Sequence, residues 1–358
     1  MSSLTAARRY LLISLGLPGG ALLAALLGGC ATSAPESAPG PAVERVWPKP
    51  PETPRIRWLQ VINAPEDVGI RPGAFRRFLS FLKGEVPTRI RRPHGLEVDA
   101  AGRLYVIDTH YRFVHVFHPA GARYYRFPAS TVEGFDQPIN LALGAGGRVY
   151  ISDSASGRVH VFAEHGEKYL TSFGGPPLQR PTGLAYRVAA NELLVVDTLA
   201  SQLLVYDADS FALKRAVGQD TEGPMGFHYP TDIALARDGT VYVTDALNFR
   251  IQVLSADLRF LKTFGAAGNN PGHFSRPKGV AVDSEGHVYV VDALFDNVQI
   301  FDRDGRLLLA FGSPGAGTGE LWLPSDIFID AQDRIYVSDT YNQRIQVFQY
   351  LRAAEGAS

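Results

Sequence analysis

From residue 93 onward, short apolar runs alternate with clusters of Gly, Asp, Asn and Ser, and the alternation is itself periodic. A proline opens each unit, at Pro93, Pro138, Pro181, Pro230, Pro277 and Pro324. An apolar run follows, then a Gly or acidic turn, then an apolar run ending in aspartate: Asp108, Asp153, Asp197, Asp245, Asp292 and Asp339. A third run ends near Phe or Tyr. Val, Ile, Tyr and Phe suit a pleated, half-buried surface, and Gly, Asp and Asn suit tight turns. In the fifth unit this pattern predicts strands at 279–283, 287–291, 298–302 and 307–311. No run within the units has the 3.6-residue spacing of a helix face.

A four-stranded unit returning about every 45 residues predicts an all-β fold, a six-bladed β-propeller of four-stranded blades. Units three to five end in a fourth run closed by Gly, at 213–218, 261–265 and 308–312. Unit six has three predicted strands, the last at 345–350, while a spare apolar run at 55–62 precedes unit one. This run is expected to act as an N-terminal latch strand that completes the sixth blade and leaves no long open edge. The ring then spans 55–350, with repeats from about 92. Pro277-Lys-Gly-Val-Ala-Val-Asp, Val241-Tyr-Val-Thr-Asp and Asn342-Gln-Arg-Ile-Gln-Val-Phe resemble the NHL repeat. The resemblance implies the six-bladed ring and leaves function open among scaffolds, binders, sensors and lyases.

Arg8 and Arg9 precede an apolar run over 10–27 that ends in Leu27-Gly28-Gly29-Cys30. A basic start, an apolar middle and small residues before a cut point read as a secretion signal over 1–29 rather than a membrane span. The Leu-Gly-Gly-Cys ending resembles the bacterial lipobox. That resemblance implies cleavage before Cys30, a diacylglycerol on its sulfur and acylation of the new amine. With Ala31 next, it implies a place in the bacterial cell envelope, on the outer membrane facing the periplasm. Cys30 is the only cysteine among 358 residues, so the chain has no second thiol for a disulfide, for catalysis or for a metal. Residues 30–54 are rich in Pro, Ala, Ser and Glu and predict a tether. Phe75, Phe78, Leu79 and Leu82 share one face of a predicted helix over about 72–83, and 351–358 reads as a polar tail. A net charge of −1, together with export, excludes nucleic acid from the expected partners. Those partners are the membrane, through the Cys30 lipid, and an envelope protein, peptide or glycan.

Repetition separates scaffold from site. The six aspartates occur in every unit and read as turn acceptors for backbone N–H groups. His115 and His160 share a position with Gln252, Gln299 and Gln346 and read as polar strand residues. Two residues after each opening proline stand Gly95, Asn140, Gly183, Asp232, Gly279 and Asp326. Arg158, Arg250 and Arg344 occur in the same units as Asn140, Asp232 and Asp326. The expectation is two structural ion pairs, Asp232–Arg250 and Asp326–Arg344. The alternative is convergence of the three oxygen-bearing residues on a divalent metal in the channel, such as calcium.

The residues that break the repeat cluster in unit one: His94, Glu97 where four of the other five units have Ala, and His110-Tyr111-Arg112. In a propeller the loop before the first strand and the turn after the second open on one face. His94, His110, Tyr111 and Arg112 are therefore expected beside Arg92, His228, Tyr229, Arg276, Trp322 and Tyr341, a ligand or partner surface that includes Glu97. No Gly-rich phosphate loop, Ser-His-Asp spacing or metal-binding His pair assigns a catalytic residue or a metal ligand. The expected function is a membrane-tethered binding or scaffold module without a cofactor. The alternative is a metal-dependent lyase or hydrolase at the mouth of the central channel.

Overall fold

The computed structural model describes residues 45–71, 88–128, 134–218 and 225–352. The secretion signal, Cys30 and the helix expected at 72–83 lie outside these residues.

Six antiparallel sheets form a ring. Blade five comprises Pro277–Val282, Val288–Asp292, Asn297–Phe301 and Leu307–Phe311, each within two residues of the strand expected from the sequence. The innermost strands of the six blades are Pro93–Val98, Pro138–Leu143, Pro181–Arg187, Pro230–Leu235, Pro277–Val282 and Asp326–Ile329. They touch one another in cyclic order, blade six returning to blade one. The sixth sheet holds Asp326–Ile329, Arg334–Asp339 and Arg344–Tyr350, then two strands from the N-terminal side. Ile56–Ile62 pairs antiparallel with Arg344–Tyr350, and Val46–Trp47 pairs with Ile56–Ile62. The end of the expected tether is therefore corrected: Val46–Trp47 is strand. Its indole explains why, lying 6.0 Å from the Phe311 ring and 5.8 Å from Phe348.

The core consists of six wedges, one between each pair of neighbouring blades. Tyr105, Val114, Val116 and Phe127 of blade one, for example, pack with Leu141, Val149, Ile151 and Phe162 of blade two. Each fully buried side chain of this kind contributes about 1.5–3 kcal/mol.

The six repeated aspartates are all fully buried and act as clips. Asp292 accepts from the N–H groups of Ser275 (2.7 Å) and Arg276 (3.0 Å) in the incoming loop, and of Leu294 (3.0 Å) and Phe295 (3.2 Å) in its own turn. Asp108, Asp153 and Asp197 accept from the loops before their own blades in the same way. Next to the clip sits the shared His/Gln position. His115 Nε2 lies 3.3 Å from Asp108, and Gln252 and Gln346 donate to Asp245 and Asp339 at 3.1 and 3.0 Å. Asp292→Asn turns one acceptor oxygen against a buried N–H. It is expected to cost about 2 kcal/mol in urea unfolding, whereas a loss below about 0.5 kcal/mol, the level of an ordinary surface substitution, would show that the clip is dispensable. Among the described residues, no helix is long and apolar enough to cross a membrane.

Candidate functional site

The clips decide what reaches the channel mouth. Each holds the backbone just before an opening proline, so the side chain at that point is fixed at the rim. Those residues are Arg92, Gln137, Arg180, Tyr229, Arg276 and Leu323. The loops and the second turns lie on one face, because Thr109 N–H donates to Arg92 O, Leu247 to His228, Ala293 to Arg276 and Tyr341 to Trp322. This places Arg92, His110, Tyr111, Arg112, His228, Tyr229, Arg276, Trp322 and Tyr341 on a common surface.

Two clusters stand out there. The Arg92 guanidinium lies 5.9 Å from the Tyr341 ring centre, and Tyr341 lies 5.5 Å from Trp322, joining blades one and six. Arg180 donates to the Tyr229 hydroxyl at 2.6 Å, joining blades three and four.

Inside the rim is a cavity of about 220 Å³. Arg180, Tyr229, His94, Lys278 and the hydroxyls of Ser154, Thr182, Thr198, Thr231 and Ser325 line it. His94 Nδ1 lies 2.9 Å from Ile139 O, which makes Nδ1 the donor and leaves Nε2 unprotonated. Burial, and then the charge of Lys278, pulls the imidazole down to about 4. Burial, and then Arg276 and Arg180, pulls Lys278 down to about 8. Among the described residues, Lys278 has no ion pair.

The floor of this cavity is a belt across the axis. Asn140, Asp232 and Asp326 line both this cavity and a second one beyond it, of about 210 Å³. Asn140 Nδ2 donates to Asp232 Oδ1 at 2.9 Å, Val280 N–H to Asp232 Oδ2 at 2.9 Å, and Leu96 N–H to Asp326 Oδ2 at 3.2 Å. Burial pushes Asp232 up to about 7, and burial with the neighbouring Asp232 charge raises Asp326 well above the usual carboxylate range. The belt therefore retains protons near neutral pH.

The ion pairs expected from the sequence do not form. Arg250 pairs with Asp245 at 2.8 Å and Arg344 with Asp339 at 2.7 Å. Each Arg opens a third strand directly opposite the clip aspartate of the second strand, while Asp232 and Asp326 lie on innermost strands facing the axis. The three oxygen-bearing residues do converge, but Asn140 turns its amide N–H, not an oxygen, to Asp232. Among the described residues, no three His, Cys, Asp or Glu side chains are grouped to hold a metal.

Glu97 is also displaced from the expected surface. It lies two residues further along the innermost strand and lines the second cavity, beyond the belt. There it accepts from Leu143 N–H at 2.9 Å, and burial pushes it up to about 8.

A family model described as a 6-bladed beta-propeller matches residues 283–351, and an NHL repeat model matches 227–254. The chain is an NHL-repeat six-bladed β-propeller. No curated protein matches its sequence. Among solved structures, the NHL propeller is similar to virginiamycin B lyase from Staphylococcus aureus, with TM-score 0.52 and 14% identity over 73% of this chain and 95% of that one. It is similar to a protein of unknown function from Bacteroides thetaiotaomicron, with TM-score 0.59 and 14% identity over 82% and 75%. A third likeness is to regucalcin, a calcium-binding protein from Agrobacterium tumefaciens, with TM-score 0.53 and 16% identity over 72% and 90%. At these identities the likeness is one of fold.

Sequence reasoning missed Arg180 and Lys278 as members of the NHL propeller's mouth. Signals for both exist. Arg precedes the opening proline in units one, three and five, and Lys278 follows it where four of the other five units carry His, Thr or Ser.

Proposed function

We propose that this chain is a binding module of the bacterial cell envelope, tethered to the outer membrane through a lipid on Cys30, that takes an envelope protein, peptide or glycan on its channel-mouth face. The observation that carries this reading is the composition of that face. Arg92, Arg276 and Lys278 have no acidic partner among the described residues, and Lys278 lines the mouth cavity. Outside them, Leu199, Leu247, Leu294 and Tyr341 occupy one turn position in blades three to six. Each is 47–57% exposed, as is Trp322 at 51%. Cations beside exposed rings and aliphatic side chains form a recognition surface rather than an ordinary solvated one.

Two measurements test it. Cys30→Ala should deplete the protein from the outer-membrane fraction, and an unchanged distribution would remove the tether. Material captured from solubilised membranes by the parent should be lost with the Trp322→Ala, Tyr341→Ala double variant. Equal capture by both would remove the mouth face from the account.

The second reading is a metal-dependent lyase or hydrolase at the same mouth. The observation in its favour is His94, a neutral imidazole with a free Nε2 lining the cavity. His110 and His228 lie on exposed turns of the same face. One zinc, iron or calcium per purified chain, lost in His94→Ala, would favour this reading, and a metal content independent of His94 would sink it.

A further inference from the structure

The chemistry of the mouth cavity is segregated. Its lining cations are Arg180 of blade three and Lys278 of blade five, and the Arg276 charge acts on Lys278 from outside the lining. Its walls are hydroxyls. Thr182 and Thr198 share a hydrogen bond of 2.7 Å, and Thr231 Oγ1 is buried with no partner among the described residues. Its floor is the amide and carboxyl belt. Ile139 is its only aliphatic lining residue among those described. At about 220 Å³ the cavity falls below the range of about 300–1,000 Å³ for pockets of drug-sized ligands, so it suits a single ring rather than an extended chain. A peptide end would need an apolar subsite for its side chain, and none is present. A bare phosphate would use the cations and leave the hydroxyl wall unmatched.

Building on the mouth-binding reading above, we propose that this cavity binds one carboxylate-bearing sugar ring, a uronic acid residue. Its carboxylate would meet Lys278 beside Arg180 and Arg276, and its hydroxyls would meet Thr231, the Thr182–Thr198 pair and the belt. The unpartnered lysine supplies the charge-assisted contact that a neutral hexose cannot use. Tyr229, fixed by Arg180, offers a ring face at the entrance.

The groups facing Lys278 set the pH response. Beside the Arg180 and Arg276 guanidiniums, His94 stays neutral above about 4, Asp232 and Asp326 hold protons into the neutral range, and Lys278 itself titrates near 8. Binding of a uronate is therefore strongest at pH 6 and weakens toward pH 9.

The test is calorimetric titration of the full-length, detergent-solubilised protein at pH 6.5. The probes are glucuronate, galacturonate and mannuronate, the matching neutral hexoses, and an acidic dipeptide. The expected result is saturable binding of at least one uronate, tenfold or more tighter than its neutral hexose. That binding should fall at least tenfold in Lys278→Met and several-fold in Thr231→Val, with unfolding temperatures unchanged. Equal affinity for acid and neutral sugar overturns the proposal, as does a uronate affinity indifferent to both variants. Binding of the dipeptide alone, lost in Lys278→Met, overturns the sugar assignment and keeps the mouth as the binding face. If no probe binds and membrane capture is also untouched by Lys278→Met, both readings fall.

Discussion

Asp326→Asn is expected to raise the stability of the propeller at pH 8 and to raise it much less at pH 5. In the unfolded chain the Asp232 and Asp326 carboxyls titrate near 3.8, while in the ring both are raised by burial and Asp326 also by its neighbour. Between about pH 4 and 7 the unfolded state therefore gives up protons that the folded state keeps, and the folded state loses stability as pH rises. For Asp232 alone, a rise to about 7 represents about 4 kcal/mol at the upper end of that window. Asp326 is the cleaner position to change. Its Oδ2 accepts from Leu96 N–H, a role that an amide oxygen keeps, and the new amide N–H group can face Asp232 in place of a second acid. The two carboxyls titrate as a pair, so removing one also eases the other. The gain at pH 8 should be on the order of 3 kcal/mol, read from urea unfolding at both pH values. His94 and Lys278 are pulled down rather than up and push the opposite way, but they are common to parent and variant and cancel. A stability difference that is the same at pH 5 and pH 8 would show that the belt does not hold protons.

Gly183→Ala is expected to cost at least about 3 kcal/mol or to prevent accumulation of folded protein. The backbone at Gly183 is not left-handed; the constraint is proximity. An added methyl would stand 2.6 Å from Asp232 Cα. Gly95 faces Asn140 Cα at 2.6 Å and Gly279 faces Asp326 Cα at 2.8 Å in the same way. Six strands converge at the axis, and there is room for a side chain on only every second one. Gly102→Ala is the control. It has a left-handed backbone (φ 74°) but nothing within 4 Å of the added methyl, so it should cost only about 1 kcal/mol. Equal costs at the two positions would refute the crowding account.

The alternation behind both results was visible along the chain, and its meaning was not. The repeat fixes register within a blade, so strands, clips and the six-fold count could be read from Pro, Gly and Asp positions. It carries no information on which side chain of a neighbouring blade comes near. Arg250 and Arg344 are therefore matched by the sequence to Asp232 and Asp326, although a clip aspartate stands opposite each of them across a hairpin. Glu97 was placed correctly as an outlier and on the wrong side of the belt, because a sequence position gives no depth along the axis. Lys278 escaped notice because a lysine after proline reads as solvated surface until its neighbours are known to be two arginines.

The pairing of Ile56–Ile62 with Arg344–Tyr350 also governs the order in which the ring can be completed. Trp58 Nε1 donates to Gln346 Oε1 across 288 positions of chain. At synthesis rates of about 5–20 residues per second, the earliest-made strands wait about 15–60 s for the last one. Each of the first five blades can meanwhile form from its own hairpins. Strands Val46–Trp47 and Ile56–Ile62 have no sheet of their own to join until the C-terminal strand arrives. They are the segment most exposed to mispairing, and a holding factor that shields an apolar strand early in biogenesis would act there.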